Sequence, residues 1–591
     1  MQSSNMLGPA AARIHSAAPV GRLGLSLVLF TAIGLPWQIS YNMLPSPTFL
    51  NELVAFLGWA AVLARLSSKL DHRPVSMELR AFAAAMALLV AGTLIQLTVG
   101  KTRIPAVAAH WSYFALAACA TAWAGYQFES GEPRRKFIDA WAVCWLAGCL
   151  LSFLAGLVQY LQLPVSWYAV APPYDWGRIG GNIRQPNHFA TLMVIGLPCS
   201  LWLVQRRIIS PVVAALSSGM IAFAVVISAS RSGFLSLILL LSWVLLASRE
   251  RRVKLVGTAA GIAAVVSAAA LLALDIAHVL PWYGGTRIPH LGATSDGGRL
   301  HLWADALELI RQNPWSGVGV GQFAFYLLLS DLPHRSNTLF TNAHNLPLHL
   351  TVEFGLPLAG IAFGLFAWAI WRVRRVFAYG VGQFAAWSLL PVAVHSMFEF
   401  PLWYAYMLLP AAFLLGLALS EAQESAPPLP RKGGSELKWA AMAIAAGILV
   451  AVPHYMALAA VYAPGGDRDT LKERLQTLHS AYIYSHWVAA TMLDGIPYQR
   501  ISADPDLLVL FERYSRFFLS DKMMARYALA LAEQGRLAEA HRLVFVLRSR
   551  ASGELTNLQE YSRRHATQGA KALTSVIEDP SAPQVSAGGF Q

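Results

Sequence analysis

From Leu23 to Tyr462 the chain returns repeatedly to apolar runs, each of ~18 residues or more and so long enough to cross a bilayer. In hydrocarbon every backbone N–H and C=O must be satisfied within the spanning structure, so runs of this kind fold as helices. Composition agrees, because 56% of the 591 residues are hydrophobic and only 13% are charged. A soluble domain carries about 25% charged residues. The chain therefore reads as an all-α polytopic membrane protein with about thirteen transmembrane helices, counted by hydrophobic run length. The stretch 21–35 is followed at once by further spans, which makes it the first helix and not a cleavable signal.

The expected organisation is a short cytoplasmic N-terminus (1–21), a first set of spans (22–275), a large loop (276–345), a second set of spans (346–460), a helical extension (461–578) and a disordered tail (579–591). Within the second set, 346–370 is expected to be one span. Orientation follows from the cations. Alternate short loops hold Arg65, Lys69, Arg73 and Arg80, then Arg134, Arg135 and Lys136, then Arg206 and Arg207, then Arg372, Arg374 and Arg375. The positive-inside rule makes that side cytoplasmic, with only Lys101 and Arg103 opposing it. An odd span count then puts the C-terminus outside.

The net charge of +13 invites a nucleic-acid partner. The cations are scattered over short loops and form no single basic face, so that class is set aside. Cys119, Cys144, Cys149 and Cys199 all fall inside apolar runs without a CxxC pair, which argues against a structural zinc site or a disulfide framework.

Four polar segments emerge on the opposite face. "GGNIRQPNHFAT" (180–191) brings Arg184, Gln185, Asn187 and His188, and "SASRSG" (228–233) brings Arg231. The large loop brings Arg299 and His301, then Asn342, His344 and Asn345 at the mouth of a span, and "HSMFEFPLWYAYML" (395–408) brings Glu399 and Tyr404. Each alone has a bland reading, such as a helix cap, a snorkelling arginine or an aromatic belt. Together they suit an anionic lipid head group: arginine forks hold pyrophosphate oxygens, and a neutral histidine takes a proton from an attacking hydroxyl. No DxD pair appears within these four segments to favour metal-assisted transfer, and none of the candidate residues is assigned as a metal ligand. The loop also contains the helical pattern "GGRLHLWADALELIRQNPWSGVGVGQF" (297–323), so it is expected to fold and to lie back over the bundle.

These segments, in this order, with "NAHNLPLHLTVEFGLP" and "EFPLWYAYML", resemble the O-antigen ligase and polymerase superfamily. Within it the resemblance is closest to the bacterial PglL-type O-linked protein oligosaccharyltransferases, and it covers roughly 20–460. The resemblance implies transfer of a glycan en bloc from undecaprenyl pyrophosphate to Ser/Thr hydroxyls of periplasmic or pilin-like proteins. It implies an inner-membrane enzyme that works without cofactor, nucleotide sugar or metal. His344 takes the histidine of the family's H-N-x-x-L motif and is expected to be the general base or to orient the acceptor. Gln185 takes the glutamine of the QPN motif, and Tyr404 the tyrosine after the E-F-P corner, where it would help shape the acceptor site. Arg231 and Arg299 match the two arginines expected to hold the pyrophosphate. Asn187, Asn345 and Glu399 complete the expected substrate-binding set. Arg184 departs from the pattern, which leads one to expect a small or uncharged residue; it either adds a phosphate contact or sits in solvent. His349 and Glu353 are expected to face the bundle, with Gly355 allowing close helix packing.

Two alternatives stay open at this level. A ligase acting on lipid A core, or an O-antigen polymerase, would run the same chemistry on another acceptor. A transporter without chemistry would place its ionisable groups near the midplane, often in repeated halves, and neither feature is evident here. The extension 461–578 contains a helix–turn–helix that resembles a tetratricopeptide hairpin (527–547); with Ala528, Leu531, Gly535 and Ala540 at its helix-crossing positions, the hairpin is expected either to offer a surface to an acceptor protein or only to brace the last helix. The topology is testable. A reporter fused after Leu573 should give active alkaline phosphatase and dark green fluorescent protein; the reverse pattern would put the extension in the cytoplasm.

Overall fold

The computed structural model describes residues 19–71, 73–173, 178–277, 298–334, 340–422, 434–462, 482–565 and 567–579. The N-terminal segment up to residue 18, the linker 423–433 and the tail from 580 lie outside the described residues. Among the described residues nine α-helices precede the large loop: α1 (Pro19–Ile33), α2 (Phe49–Leu66), α3 (Met77–Thr98), α4 (Pro105–Gln127), α5 (Glu132–Tyr160), α6 (Pro186–Gln205), α7 (Pro211–Ser228), α8 (Arg231–Ala247) and α9 (Arg251–Ile276). Within the loop lie α10 (Arg299–Gln312) and α11 (Phe323–Leu329). Then come α12 (Leu346–Phe354), α13 (Leu356–Val373), α14 (Gly380–Ser396), α15 (Ala405–Glu421) and α16 (Ser435–Tyr462). Among the described residues there is no strand, only two isolated bridges. Among the described residues eight helices are long and apolar enough to cross a membrane, and Leu23–Ile33 of α1, α8 and α15 are shorter apolar helices.

α6 is the central post. Every residue from Pro186 to Val204 is buried, the pattern of a helix enclosed by others on all sides. It packs against α5, α7, α8 and α14. Its two ends, ~30 Å apart at 1.5 Å per residue, meet different chemistry. At the C-terminal end Arg206 pairs with Asp139 at 3.2 Å and Glu132 at 3.1 Å. On that same basic end Arg134, almost fully buried, holds Glu421 at 2.6 Å, and Arg73 donates to the Ser420 carbonyl at 3.1 Å. The polar constellation gathers at the other end, at the N-terminus of α6.

Small residues set the closest helix contact. α4 and α15 meet at Gly125 and Gly416, where a Cβ on either would collide with backbone of the partner helix at Phe413 or Ala122. In lipid such close approach supplies the packing that the hydrophobic effect does not.

The expected single span 346–370 is two helices. Gly355, at φ 81°, breaks it into α12 and α13, and a side chain there would meet the Trp315 and Ser316 backbone. The large loop is what occupies that space. Leu356 N–H donates to the Pro314 carbonyl at 2.7 Å, Val318 N–H to Val352 at 2.9 Å, and Gly319 N–H to Glu353 at 3.1 Å. Gln96 of α3 clamps the same seam by donating to the Glu353 carbonyl at 2.8 Å and the Ser316 carbonyl at 3.0 Å. Glu353 is buried, accepts from Gly321 N–H at 2.8 Å and faces His349 at 3.5 Å. The loop is thus folded down onto the bundle.

Beyond α16 the extension forms a helical bundle: α17 (Ser485–Gly495), α18 (Tyr498–Ala503), α19 (Leu507–Tyr514), α20 (Asp521–Glu533), α21 (Leu537–Ser549), α22 (Gly553–Arg564) and α23 (Gln568–Glu578). α20 and α21 form a hairpin turning at Gly535, φ 74°. Ala528, Leu531 and Ala540 are fully buried in the bundle's own core, as residues at helix-crossing positions are.

The α4–α15 contact generates a contrast. Gly416→Ala should lower the melting temperature of the solubilised protein, because overpacking costs ~1–3 kcal/mol. Gly360→Ala, where nothing lies within 4 Å of the added carbon, should not. Equal melting temperatures for both variants would show that the α4–α15 seam yields freely.

Candidate functional site

Three helices enter the site through a non-glycine residue in the left-handed region: Arg184 (φ 62°), Ala229 (φ 50°) and His344 (φ 50°). Each is followed by an N-cap whose side chain accepts a backbone N–H of the first turn. Gln185 takes His188 N–H at 2.7 Å, Ser230 takes Gly233 N–H at 3.1 Å, and Asn345 takes Leu348 N–H at 3.0 Å. The fourth helix, α10, starts after Gly298 at φ 77°. Such strain at non-glycine residues persists only where surrounding contacts enforce it. The result places the N-termini of α6, α8, α10 and α12 around one corner, Met397–Tyr404, between α14 and α15.

Glu399 ties that corner to all the others. Its Oε2 accepts from His344 Nδ1 at 2.7 Å, and its Oε1 accepts from Arg299 at 2.6 Å and from Asn187 Nδ2 at 3.2 Å. Asn187 Oδ1 in turn accepts from Ser230 Oγ at 2.7 Å, which brings in α8 and its first residue, the exposed Arg231. Asn345 Nδ2 donates to the Met397 carbonyl at 3.2 Å. Burial would raise the Glu399 carboxyl, but the His344 hydrogen bond and the charges of His344 and Arg299 outweigh it and hold the group down at about 2. An ionised carboxylate only accepts, so His344 Nδ1 is the donor, and in the neutral ring the lone pair lies on Nε2. The imidazole is flanked edge-on by Phe340 and Phe400, at centroid distances of 5.6 and 5.3 Å.

The structure brings His344, Arg299, Glu399, Asn187, Asn345 and Arg231 together. Asn187 and Asn345 hold helix entrances and the corner in place. Gln185 commits its oxygen to the α6 cap two residues from Asn187. Arg184 is turned away from the site: its guanidinium donates to the carbonyls of Ile39, Ser40 and Pro47 and to Asn51 Oδ1. It tethers the 39–47 segment. Tyr404 lies on the α6 side, edge-on to His188 at 4.6 Å and stacked with Phe400 at 6.2 Å.

Sequence reasoning missed Arg178, which donates to Asn187 Oδ1 at 3.2 Å and to the Ala229 carbonyl at 3.3 Å. It precedes the helix in a segment without periodicity, so no pattern marked it. Of a buried layer beneath the site only His188 stood out in the sequence: its Nδ1 meets Tyr406 Oη at 2.7 Å, and Thr191 Oγ1 meets His395 Nδ1 at 2.8 Å. His349 lies below His344, where its Nδ1 accepts from the Ala343 N–H at 3.4 Å.

Next to this corner opens an apolar cavity of about 830 Å³ between α3, α4, α13, α14 and α15. Leu346, Pro347, Met397 and Trp403 line its site end, and Phe82, Met86 and Phe366 lie further along it.

Three family models match. "O-Antigen ligase" covers residues 216–363, "Protein glycosylation ligase" covers 179–204, and "Virulence factor membrane-bound polymerase, C-terminal" covers 384–550. Among curated proteins, a general O-oligosaccharyltransferase of Acinetobacter baylyi is 26% identical over 425 residues, which is 69% of this chain and 72% of the relative. A ComP-specific O-oligosaccharyltransferase of the same organism is 25% identical over 270 residues, 45% of this chain and 48% of the relative. The matched stretches contain the entrance of α6, the large loop and the Glu399 corner.

The depressed Glu399 pKa fixes a pH window. Its contribution to the fold is complete above the ordinary carboxylate range, ~4.3, and is lost only as pH falls through about 2. Stability between pH 5 and 9 should therefore not depend on Glu399 titration. Glu399→Gln keeps the shape but removes the charge, and should lower turnover ~10²-fold throughout that range by releasing His344 and Arg299. Turnover within experimental error of wild type would remove Glu399 from the site's machinery.

Proposed function

We propose that this chain, whose matches support a PglL-type member of the O-antigen ligase superfamily, is an O-oligosaccharyltransferase. It moves a glycan from a polyprenyl pyrophosphate carrier, read as undecaprenyl pyrophosphate, to a Ser/Thr hydroxyl of an acceptor protein, of which pilin-like proteins are one class. The reaction takes place at the periplasmic face of a bacterial inner membrane. The observation that carries the reading is the His344–Glu399–Arg299 constellation at the mouth of the apolar cavity.

The chemistry follows from the geometry. The carrier's polyprenyl tail occupies the cavity, whose lining is almost wholly apolar. That leaves the pyrophosphate at the corner, facing Arg231, Arg299 and four helix N-termini, each worth about half a positive charge. The acceptor oxygen attacks the anomeric carbon as His344 Nε2 takes its proton. The bond from that carbon to the phosphate oxygen breaks, and its electron pair leaves on the pyrophosphate, where the arginines and N-termini meet the developing charge. Glu399 holds the imidazole in its tautomer and stabilises the imidazolium, as the carboxylate of a triad does.

The O-antigen ligase and polymerase descriptions of two matched regions keep the lipid and glycan acceptors in view. Both curated relatives are named O-oligosaccharyltransferases, which favours a protein acceptor.

With purified enzyme and lipid-linked donor, His344→Ala should insert normally yet lose ~10²–10⁴-fold in transfer. Arg299→Lys keeps charge but loses the fork that bridges Glu399 and phosphate, and should weaken apparent donor affinity. Wild-type transfer by His344→Ala would end the base assignment, and unchanged donor affinity in Arg299→Lys would end the pyrophosphate assignment.

A further inference from the structure

The helical extension is built onto the same loop that carries Arg299 and His344. Helix α11 has two apolar faces. Phe323 and Leu327 pack into the loop's own core with Leu302, Ala306 and Leu309 of α10. Phe325, Leu328 and Leu329 instead belong to the core of the C-terminal bundle. Arg516 of the bundle covers the Phe325 ring at 4.7 Å. At the end of α11, Arg542 of α21 is completely buried and donates to Asp331 Oδ1 at 2.7 Å and to the Ser330 carbonyl.

From there the contacts run to the site without a gap. α11 packs on α10, and Arg299 is the first residue of α10. One turn later Trp303 Nε1 donates to the carbonyl of Ala343 at 3.0 Å, which fixes the residue before His344. Past Asp331, Leu332 is buried in the loop core and His334 N–H donates to Asp305 on α10 at 3.1 Å. In this pair the arginine is enclosed and the carboxylate is 59% exposed, and an ion pair of that kind adds little net stability. What a guanidinium adds is direction, since its planar fork fixes the angle between the two groups it bridges.

We propose that Arg542 is a positioning residue: through Ser330, Asp331 and α11 it sets the placement of α10, and thereby of Arg299 and of His344. The C-terminal bundle then registers the reactive loop, and an acceptor resting on the bundle bears on the same linkage. The proposal rests on the transferase reading for its kinetic readout but not for its structural one. Truncating the bundle would expose Phe325, Leu328 and Leu329 and so impair donor hydrolysis along with protein glycosylation.

The test uses full-length protein with Asp331→Asn and Arg542→Lys. Asp331 is 59% exposed, so its amide variant keeps the fold even if the buried arginine tolerates no change. Kinetics with lipid-linked donor should show kcat lowered ~10-fold, both for transfer to protein and for donor hydrolysis, with donor KM nearly constant. Arg542→Lys should recover only part of the rate. Hydrogen–deuterium exchange should quicken at 299–305 and 340–348 while α20 keeps its protection. An unchanged kcat, a change confined to KM, or loss of protection in α20 together with the loop would overturn positioning. If the wild type turned over no donor, the transferase reading would fall. Exchange alone would then decide the coupling: faster exchange confined to the loop supports it, and no change overturns it.

Discussion

The Glu399 carboxylate accepts hydrogen bonds from His344, Arg299 and Asn187, which lie 55, 100 and 212 residues away in sequence. Those three donors stand at the entrances of α12, α10 and α6, so one carboxylate sets the relative position of three helix ends. It is buried and hydrogen-bonded on both oxygens, in a setting where an unpaired charge would cost several kcal/mol. The donors therefore hold Glu399 ionised, and Glu399 holds the donors in place. Around it, side-chain caps close the first turns of α6, α8 and α12, while α10 starts at Gly298 without one.

That arrangement explains why polar residues costly to place near hydrocarbon concentrate at one end. Helix N-termini and arginines supply positive potential at the edge of a low-dielectric region, where it is screened less than in water. An anionic head group on an apolar tail matches both halves of this environment: charge for the corner, hydrocarbon for the cavity between α3, α4 and α13–α15. Neither half alone would distinguish a carrier lipid from a free phosphate or from an ordinary membrane lipid. The opposite end, stapled by Arg134–Glu421 and Arg206–Asp139, has ion pairs of closed geometry and serves the bundle's architecture.

The helices were largely legible because hydrocarbon leaves the backbone one local solution, so a long apolar run implies a helix whatever surrounds it. The span expected at 346–370 failed at Gly355 for a tertiary reason. The loop's Trp315–Gly319 segment lies against that point, and nothing local in the sequence announces its approach. Site residues were legible as types and less so as tasks. His344, Arg299 and Glu399 converge, yet Glu399 emerged from sequence as one substrate-binding residue among several, since its centrality depends on three distant partners. Arg184 and Arg178 were indistinguishable by composition. The left-handed turn at Arg184 points its guanidinium at the 39–47 carbonyls, and that leaves Arg178 beside Asn187. The bundle hairpin was visible from its Gly535 turn, while its docking onto α11 rests on Phe325 and Arg542, separated by more than 200 residues.

The central claim is that Glu399 is a fixed counter-charge that holds a base and an arginine, and that the acceptor oxygen itself displaces the carrier. A carboxylate this close to the reaction could instead attack the anomeric carbon and form a covalent intermediate, as nucleophilic carboxylates in retaining glycosidases do. The two courses leave different stereochemistry. Nuclear magnetic resonance of the anomeric proton and carbon, in the lipid-linked donor and in the glycosylated product, distinguishes them in one comparison. Direct displacement predicts that the configuration is inverted in the product. Retention of the donor's configuration would contradict the account, because it would require two displacements and a covalent partner on the enzyme.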